Sequence, residues 1–271
     1  MTKTSKPSPF SLSGHRALVT GSTQGVGEAM AIAMAAAGAD VCIHGHERTT
    51  HGDDVVRRCQ DLGVDASLVI ADLLDVDDRA IQRFAGDVNA AMPGIDLLVN
   101  NAGIYIDVRF EDMSVSRFRD TFRLNVEAGF FLTQTFAKQW IDEGVRGRVL
   151  FTGSINAFLA EPVHVAYDAS KGAVAAMVRS LCVSLAPHGI RVNSIAPGLI
   201  RTPLTNAVLS HQADVLRWME LHTPNQTVPE PNVCGGAAVF LLSDAAEHIH
   251  GQTLLIDGGM SVWQQPDLPG G

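Results

Sequence analysis

The chain has 271 residues, of which 46% are hydrophobic and 18% charged, the composition of a globular domain that buries a sizeable core. The formal net charge of −9 excludes a general binder of nucleic acid, because binding along the phosphate backbone requires a basic patch. We find neither an apolar run of about 18 residues nor an apolar signal core, and therefore expect a cytoplasmic protein without a membrane span.

Short apolar runs alternate with helix-length segments along the chain. The runs are nearly continuous rather than alternating, which is typical of strands that are covered on both faces. Helices are predicted over residues 27–37 and 172–186, among others. This alternation predicts one doubly wound α/β domain of the Rossmann type, with a parallel sheet and helices on both faces. The predicted strands are residues 16–20, 39–44, 67–71, 95–100, 148–152, 191–195 and 253–257.

Three segments fall outside this alternation. Residues 1–13 and 263–271 are predicted to be flexible tails, which leaves a single domain over residues 14–262. Residues 202–233 are polar and contain four prolines, and an irregular segment of this length is more often functional than accidental.

A glycine-rich turn follows the first strand and opens the first helix. Glycines let backbone N–H groups approach a dinucleotide pyrophosphate, and the positive end of the helix lies beneath it. The alternative is an ordinary strand–helix turn, since isolated glycine motifs produce many false matches. The residues of this turn that we expect to bind the cofactor are Gly21, Ser22, Thr23, Gln24, Gly25, Val26 and Gly27.

The end of the second strand is where the adenine ribose should be distinguished. Gly45 stands where a carboxylate would accept hydrogen bonds from the ribose hydroxyls, whereas His46 and Arg48 are placed to meet a 2′-phosphate. Glu47, between them, opposes this interpretation. The charges favour NADP(H) modestly over NAD(H). We interpret His44, His46 and His51 as surface polarity, because no metal-ligand spacing is present and we expect no metal.

Tyr167 and Lys171 are four residues apart, which places both side chains on one face of a helix. A nearby ammonium favours the phenolate and lowers the pKa of the tyrosine, giving an acid or base suited to proton transfer. A boundary Tyr beside a solvated Lys is the common alternative. Ser154 follows the fifth strand, at the sheet edge that lines the ligand crevice in doubly wound folds, and so favours the catalytic interpretation.

Eight short motifs together resemble the short-chain dehydrogenase/reductase family, in its branch of about 250 residues. The resemblance runs from about residue 14 to residue 259. Its pieces are Thr20-Gly21-x3-Gly25-x-Gly27, Asp72-Leu73, Asn100-Asn101-Ala102-Gly103, Leu124-Asn125-Val126, Ser154, Tyr167-x3-Lys171, Pro197-Gly198 with Thr202, and Asp257-Gly258-Gly259.

The resemblance implies a role for each matching residue. Tyr167 is the acid in reduction and the base in oxidation, Lys171 lowers its pKa and binds the nicotinamide ribose, and Ser154 holds the substrate oxygen. Asn125 anchors a water that passes protons onward through Lys171. The other implied cofactor contacts are Asp72, Leu73, Asn101, Ala102, Gly103, Pro197, Gly198, Ile200 and Thr202.

The resemblance also implies the strand order 3-2-1-4-5-6-7, a mobile lid over residues 202–233 and a homotetramer, with a homodimer as the alternative.

Two departures from the family pattern leave the choice between NADP(H) and NAD(H) open. Gln24 stands where many NADP-preferring relatives carry Arg or Lys, and Gly45 stands where NAD-preferring relatives carry Asp.

The substrate candidates are chosen by position. Glu161 and His164 can bond the hydroxyls of a polyol or sugar acid, although solvent-facing loop residues are the alternative. The full candidate set is Phe158, Glu161, His164, Leu204 and Trp218, with Leu209 and Met219 beside them. We therefore predict hydride transfer on a small polar alcohol, sugar or polyol. A 3-oxoacyl-thioester reductase and a dinucleotide sensor without turnover are the competing hypotheses.

Overall fold

The sheet has seven parallel strands in the order β3-β2-β1-β4-β5-β6-β7, as predicted. The computed structural model describes residues 8–75, 77–202 and 213–263. Most strand boundaries lie within two residues of the predicted ones, and β6 extends two residues further. The strands are β1 (Arg16–Val19), β2 (Asp40–Gly45), β3 (Ala66–Ile70), β4 (Leu97–Asn100), β5 (Arg148–Thr152), β6 (Arg191–Pro197) and β7 (Thr253–Ile256).

Helices cover both faces of the sheet. They are α1 (Gly25–Ala36), α2 (Thr50–Gln60), α3 (Asp78–Ala91), α4 (Val115–Phe122), α5 (Ala128–Glu143), α6 (Val165–Leu185), α7 (Ala213–Leu221) and α8 (Val233–Leu242). Side-chain oxygens of Thr49, Asp77 and Ser114 accept backbone N–H bonds at the starts of α2, α3 and α4. These caps satisfy donors that the first turn of a helix leaves open.

Each face of the sheet has its own hydrophobic core. On one side α3, α5 and α6 pack around Phe136 and Trp140, and the indole N–H of Trp140 donates to Ile95 O at 2.6 Å. On the other side α1, α2 and α8 pack around Met30 and Met34. The central strand β4 is buried along its whole length, which explains its nearly continuous apolar sequence. Strand β6 is also buried throughout, and its polar side chains Arg191, Asn193 and Ser194 are all hydrogen-bonded.

Helix α6 begins seven residues before the predicted start at residue 172, so its first two turns carry Tyr167 and Lys171. By length and mean hydropathy (1.2), residues 165–188 meet the criteria for a membrane-spanning helix. This helix contains Lys171 and Arg179, so it is not an uninterrupted apolar run of the kind considered in the sequence analysis. The core helix of a globular domain satisfies the same criteria, and α6 packs against β6 and carries a buried lysine.

The predicted amino-terminal tail is too long. Leu12 is fully buried in the core, and its N–H donates to Ala37 O at 2.8 Å. Pro9 O accepts a bond from Ala245 N at 2.9 Å. Residues 9–13 therefore belong to the domain. Residues 203–212 of the predicted lid, and residues 264–271 of the carboxyl-terminal tail, lie outside the described part of the chain.

Thr20 ties the end of β1 to the segment after β4. Its hydroxyl is buried and accepts hydrogen bonds from Asn101 N at 2.9 Å and Ala102 N at 3.0 Å. The hydroxyl also donates to Val99 O at 3.3 Å. Because β1 and β4 are neighbours, these bonds fix the two loops that leave the carboxyl edge of the sheet relative to each other.

We predict that Thr20→Val destabilises the protein by about 2–3 kcal/mol, since two buried N–H donors lose their acceptor at about 1–3 kcal/mol each. Thr20→Ser is the matched control. It keeps the hydroxyl and loses one methyl group, which costs about 1 kcal/mol. Urea denaturation measures both changes, and equal stability of the two variants would contradict this role of the hydroxyl.

Candidate active site

Asn101 joins the ends of three neighbouring strands at the carboxyl edge of the sheet. Its amide nitrogen donates to Thr20 O and to Gly21 O, both at 3.0 Å. Its amide oxygen accepts from the hydroxyl of Thr152, which ends β5, at 3.1 Å. The side chain of Asn101 thus holds the glycine turn against β5. The contact of Asn101 with a cofactor stays a prediction.

The glycine turn has the form that a pyrophosphate requires. Gly21 has φ +60°, and a Cβ there would lie 2.9 Å from Ala102 Cα, so a side chain is excluded both by backbone strain and by space. Helix α1 begins at Gly25, and the preceding Gln24 makes no side-chain capping bond. The amide N–H groups of the first turn are therefore available to an anion. Ser22 is fully buried, its hydroxyl donates to Val19 O, and its N–H donates to His44 O at 2.8 Å, so its contact with a cofactor stays a prediction.

His44 supports this turn from below. The imidazole is buried, its Nδ1 accepts from Gly21 N at 3.0 Å, and its Nε2 lies 3.0 Å from Ala71 O. These partners require a neutral ring with the proton on Nε2. Burial lowers its pKa to about 4, which keeps the ring neutral. Our interpretation of His44 as surface polarity is wrong. The signal was its place within an apolar strand. His46 and His51 are exposed, as expected.

The end of β2 is tightly packed at Gly45 and carries exposed charged residues immediately after it. A Cβ on Gly45 would lie 2.7 Å from Thr23 Cγ2, so glycine is required there while Thr23 is present. His46 is exposed beside Glu47, and Arg48 forms an exposed ion pair with Asp53 at 2.7 Å. The cations predicted to meet a 2′-phosphate are thus at this edge, but each has an acidic neighbour.

The remaining predicted cofactor residues divide into edge and core positions. Asp72 follows β3 and accepts from Leu74 N at 2.9 Å, whereas the side chain of Leu73 is buried in the core. Ile200 is likewise buried. The cofactor contacts of Leu73 and Ile200 stay predictions. The others lie at the same edge, where Pro197 ends β6 and the rest follow strands, namely Ala102, Gly103, Gly198 and Thr202.

Tyr167, Ser154 and Lys171 lie together at this edge. Tyr167 is a neighbour of Ser154, which is itself buried and whose hydroxyl donates to Asn156 Oδ1 at 3.2 Å. The ammonium of Lys171 lies 5.6 Å from the centre of the Tyr167 ring and donates to Thr152 O at 2.8 Å. A phenol, a hydroxyl and an ammonium are thus assembled by the end of β5 and the first two turns of α6.

Burial dominates the electrostatics of this group. It raises the pKa of Tyr167 to about 12, although the neighbouring Ser154 side chain lowers it, and it lowers the pKa of Lys171 to about 8. We expected the ammonium to lower the pKa of Tyr167, whereas the net shift of that pKa is upward. The desolvation of a buried phenolate outweighs the attraction of a cation that sits against the ring face. Tyr167 is therefore protonated at neutral pH and suited to donate a proton.

Asn125 lies in a π-helical segment, Arg123–Glu127, between α4 and α5. Its amide oxygen accepts from Ile104 N at 2.8 Å, and its nitrogen donates to Ile104 O at 2.9 Å and Ser170 Oγ at 3.0 Å. Short π-helical insertions are frequent at functional sites. Asn125 thereby ties the loop after β4 to α6, one residue from Lys171.

A small cavity adjoins Asn125 and Lys171, with a volume of about 10 Å³, enough for about one water molecule. Asn100 also lines it, and its amide oxygen has no hydrogen-bond partner among the described residues. The water that we expected near Asn125 stays a prediction, and this cavity is where it fits.

The predicted substrate residues are only partly brought together. Glu161 and His164 lie beside each other next to Tyr167, with Glu161 Oε2 and His164 Nδ1 3.4 Å apart. Phe158 and Trp218 are exposed, and Trp218 stacks on His222. Leu204 and Leu209 lie outside the described residues. The sequence analysis missed four polar neighbours of this group: Tyr105, Asp107, Asn156 and Asp168.

Comparisons with known proteins agree with this geometry. A family model described as Enoyl-(Acyl carrier protein) reductase matches residues 21–261. The glucose 1-dehydrogenase of Gluconobacter oxydans (strain 621H) is 31% identical over 263 residues, which are 95% of this chain and 96% of that protein. The gluconate 5-dehydrogenase of the same strain is 34% identical over 258 residues, with coverages of 95% and 99%.

A solved structure of similar sequence has the same fold. It is described as an NAD(P)-dependent gluconate 5-dehydrogenase from Beutenbergia cavernae with NADP bound at low occupancy. Its TM-score to this chain is 0.88 at 35% identity, covering 94% of this chain and 100% of that one.

We predict that the free energy of unfolding falls as the pH drops from 6.5 to about 4, because His44 is neutral in the folded chain over this range and protonated in the unfolded chain. Its contribution is complete above pH 6.5 and lost at about pH 4, where the folded ring takes up a proton and can no longer accept from Gly21 N.

The comparison is with His44→Gln, measured by urea denaturation from pH 7 to pH 4. This variant removes the titrating group, so its stability should change less over the same range. Parallel curves for the two proteins would show that His44 does not cause the loss.

Proposed function

The chain belongs to the short-chain dehydrogenase/reductase family, and on that premise we propose that it transfers a hydride between NADP(H) or NAD(H) and a secondary alcohol or ketone of a sugar or polyol. The observation that carries this proposal is the placement of Tyr167 next to two buried residues, Ser154 and Lys171. These three residues lie at the same sheet edge as the glycine turn. The sugar specificity is supported by relatives named as glucose and gluconate dehydrogenases.

The protein's own groups handle the reacting oxygen and its proton. The nicotinamide ring, when bound, supplies or accepts the hydride. Ser154 and Tyr167 both hydrogen-bond the substrate oxygen and orient the carbon that bears it. In reduction, the Tyr167 hydroxyl gives its proton to that oxygen as negative charge develops, and in oxidation Tyr167 takes the proton back. Lys171, held by Thr152 O, places a positive charge behind the tyrosine.

NADP(H) is the cofactor that we propose over NAD(H). Gly45 offers no carboxylate to the ribose hydroxyls, and the space above it is filled by Thr23. His46 and Arg48 lie at the rim, where a 2′-phosphate would compete with Glu47 and Asp53 for them. The Beutenbergia cavernae protein described above holds NADP.

We also propose that the protein self-associates as a homotetramer, or a homodimer, in the cytoplasm. Much of the apolar surface of α6 is not covered by the rest of the chain, and Val183 near its end is 76% exposed. Covering such a face with a second copy removes apolar surface from water. The four free thiols are consistent with a reducing compartment.

We predict that Tyr167→Phe lowers kcat by about 10²–10⁴-fold with every good substrate, because proton transfer by a positioned side chain contributes a factor of that order. The dissociation constant for NADPH, measured by fluorescence titration, should change little. Tyr105→Phe is the matched control. It removes the phenol oxygen of the chain's other tyrosine, whose ring centre is 5.4 Å away, and should lower kcat less than about tenfold.

A wild-type rate in Tyr167→Phe would overturn the proposed mechanism. The substrate panel contains sugars, polyols, sugar acids and acetoacetyl thioesters. Turnover confined to thioesters would favour the reductase of acyl thioesters instead, and tight NADPH binding with no turnover of any substrate would favour a sensor.

We predict that Gly45→Asp alone lowers the affinity for both cofactors, because its Cβ collides with Thr23. In Gly45→Asp with Thr23→Ala, the carboxylate has room to accept from the ribose hydroxyls and to repel a 2′-phosphate. The ratio of dissociation constants for NADPH and NADH should then shift at least about tenfold towards NADH, since one desolvated charge contact is worth about 1–3 kcal/mol. Thr23→Ala alone is the control. A ratio unchanged in the double variant would contradict the role assigned to Gly45.

A further inference from the structure

A second polar network lies beside Tyr167, and hydride transfer does not use it. His164 is only 3% exposed, and its Nε2 lies 2.6 Å from Asp107 Oδ1. Its Nδ1 lies 3.4 Å from Glu161 Oε2, an ion-pair distance without the orientation of a hydrogen bond. Tyr105 packs edge-on against both His164 and Tyr167, with ring centres 4.6 and 5.4 Å apart. A buried imidazole between two carboxylates is thus fixed next to the catalytic phenol.

Asn156 connects this network to Ser154. Its amide nitrogen donates to Asp168 Oδ1 at 2.8 Å and reaches Glu161 Oε1 at 3.4 Å. Its amide oxygen accepts from the Ser154 hydroxyl at 3.2 Å. The residue that holds the reacting oxygen and the residues that would hold the rest of the substrate are therefore parts of one hydrogen-bonded unit.

The two carboxylates that flank His164 remain open to a ligand. The side chains of Asp107 and Glu161 are 49% and 38% exposed, although the imidazole between them is buried. Carboxylates accept hydrogen bonds and donate none, so a ligand at this place must present hydroxyl or N–H groups. Hydroxyls on neighbouring carbons of a sugar chain match two acceptors on either side of one ring.

The charge of the network is negative. Asp107, Glu161 and Asp168 carry three formal negative charges, which outnumber the single positive charge that the His164 ring can carry. Burial opposes a charged ring, but Glu161 and Asp107 together raise the pKa of His164. His164 in turn lowers the pKa of Glu161. Neither Lys nor Arg takes part in this network among the described residues. Residues 203–212, which belong to the predicted lid, include none of the four charged residue types in their sequence.

We propose that Asp107, Glu161 and His164 form the specificity site of this enzyme, where they bind the hydroxyl groups of an uncharged sugar or polyol and disfavour sugar acids. The inference rests on the proposed function and adds the charge of the substrate. Both of the relatives compared above are about equally similar to this chain, and one is named for a neutral sugar and the other for an acid. Sequence identity therefore does not decide between them, whereas the charge of this network does.

The physical basis is repulsion between like charges in a partly desolvated site. A substrate carboxylate held near Asp107 and Glu161 loses its own hydration and meets two negative charges that the single His164 ring offsets only in part. A neutral hydroxymethyl group in the same place meets two acceptors. We expect the neutral substrate to be preferred by at least about tenfold in kcat/KM.

The test uses substrate pairs that differ only in charge, with the full-length enzyme and NADP⁺ or NAD⁺. Glucitol is compared with gluconate, and glucose with glucuronate, because in each pair a hydroxymethyl group or its equivalent replaces a carboxylate. The inference requires the neutral member of a productive pair to have the higher kcat/KM. A preference for the acid in every productive pair would overturn it while leaving the proposed oxidoreductase function intact.

The variants Asp107→Asn and Glu161→Gln remove one negative charge each and nearly preserve shape. Each should reduce the neutral-to-acid ratio of kcat/KM several-fold, through better use of the acid. If Asp107 or Glu161 had only a structural role, its variant would lower kcat/KM for the neutral and the acidic substrate together. An unchanged ratio would therefore contradict the proposed specificity site. Asp142→Asn, an exposed carboxylate at the end of α5, makes the same change in net charge and should leave the ratio as in the wild type.

The wild-type ratio is measured without any variant, so poor folding of a variant leaves the test decisive. Absence of turnover with all sugars, polyols and sugar acids, together with turnover of acetoacetyl thioesters, would remove the proposed function and this inference with it. The two results are distinguishable. A preference for the acid is observed only if the enzyme turns over sugars or their derivatives, whereas turnover confined to thioesters excludes that activity.

Discussion

The arrangement of this active site depends on one line of hydrogen bonds across the carboxyl edge of the sheet. The amide of Asn101 donates to Gly21 O at 3.0 Å and accepts from the Thr152 hydroxyl at 3.1 Å. The carbonyl of Thr152 accepts from Lys171 Nζ at 2.8 Å. The turn that would hold a pyrophosphate and the lysine behind the catalytic tyrosine are thus tied to the ends of β1, β4 and β5, which are themselves neighbours in the sheet. Their relative position follows from the fold rather than from a ligand.

Burial, more than pairing of charges, determines the proton states along this edge. The same desolvation keeps His44 neutral beneath the glycine turn, keeps Tyr167 protonated and weakens the hold of Lys171 on its proton. Each effect suits the chemistry: a neutral imidazole can accept from Gly21 N, and a neutral phenol can donate to a reacting oxygen. The His164 network is the exception, because two carboxylates overcome burial there and favour a charged ring.

The sequence was sufficient to predict the strands and the proximity of Tyr167, Ser154 and Lys171, because apolar runs and short motifs are local signals. It was insufficient where the decisive contact is tertiary. Asp107 pairs with His164, 57 residues away, from an irregular segment without periodicity. The start of α6 was missed because His164 makes no capping bond and the first turns mix polar with apolar residues. The ordered residues before Gly14 were missed because only the fold shows that Leu12 enters the core.

The most direct test of the central claim is a crystal structure of the complex with NADPH and a ketose that the enzyme reduces. The account predicts that Tyr167 Oη and Ser154 Oγ both lie within about 3.2 Å of the carbonyl oxygen of the substrate. It also predicts that Lys171 stays bonded to Thr152 O and that the pyrophosphate lies on the first turn of α1. A carbonyl oxygen bound away from Tyr167, or a pyrophosphate bound elsewhere than on the glycine turn, would contradict the account.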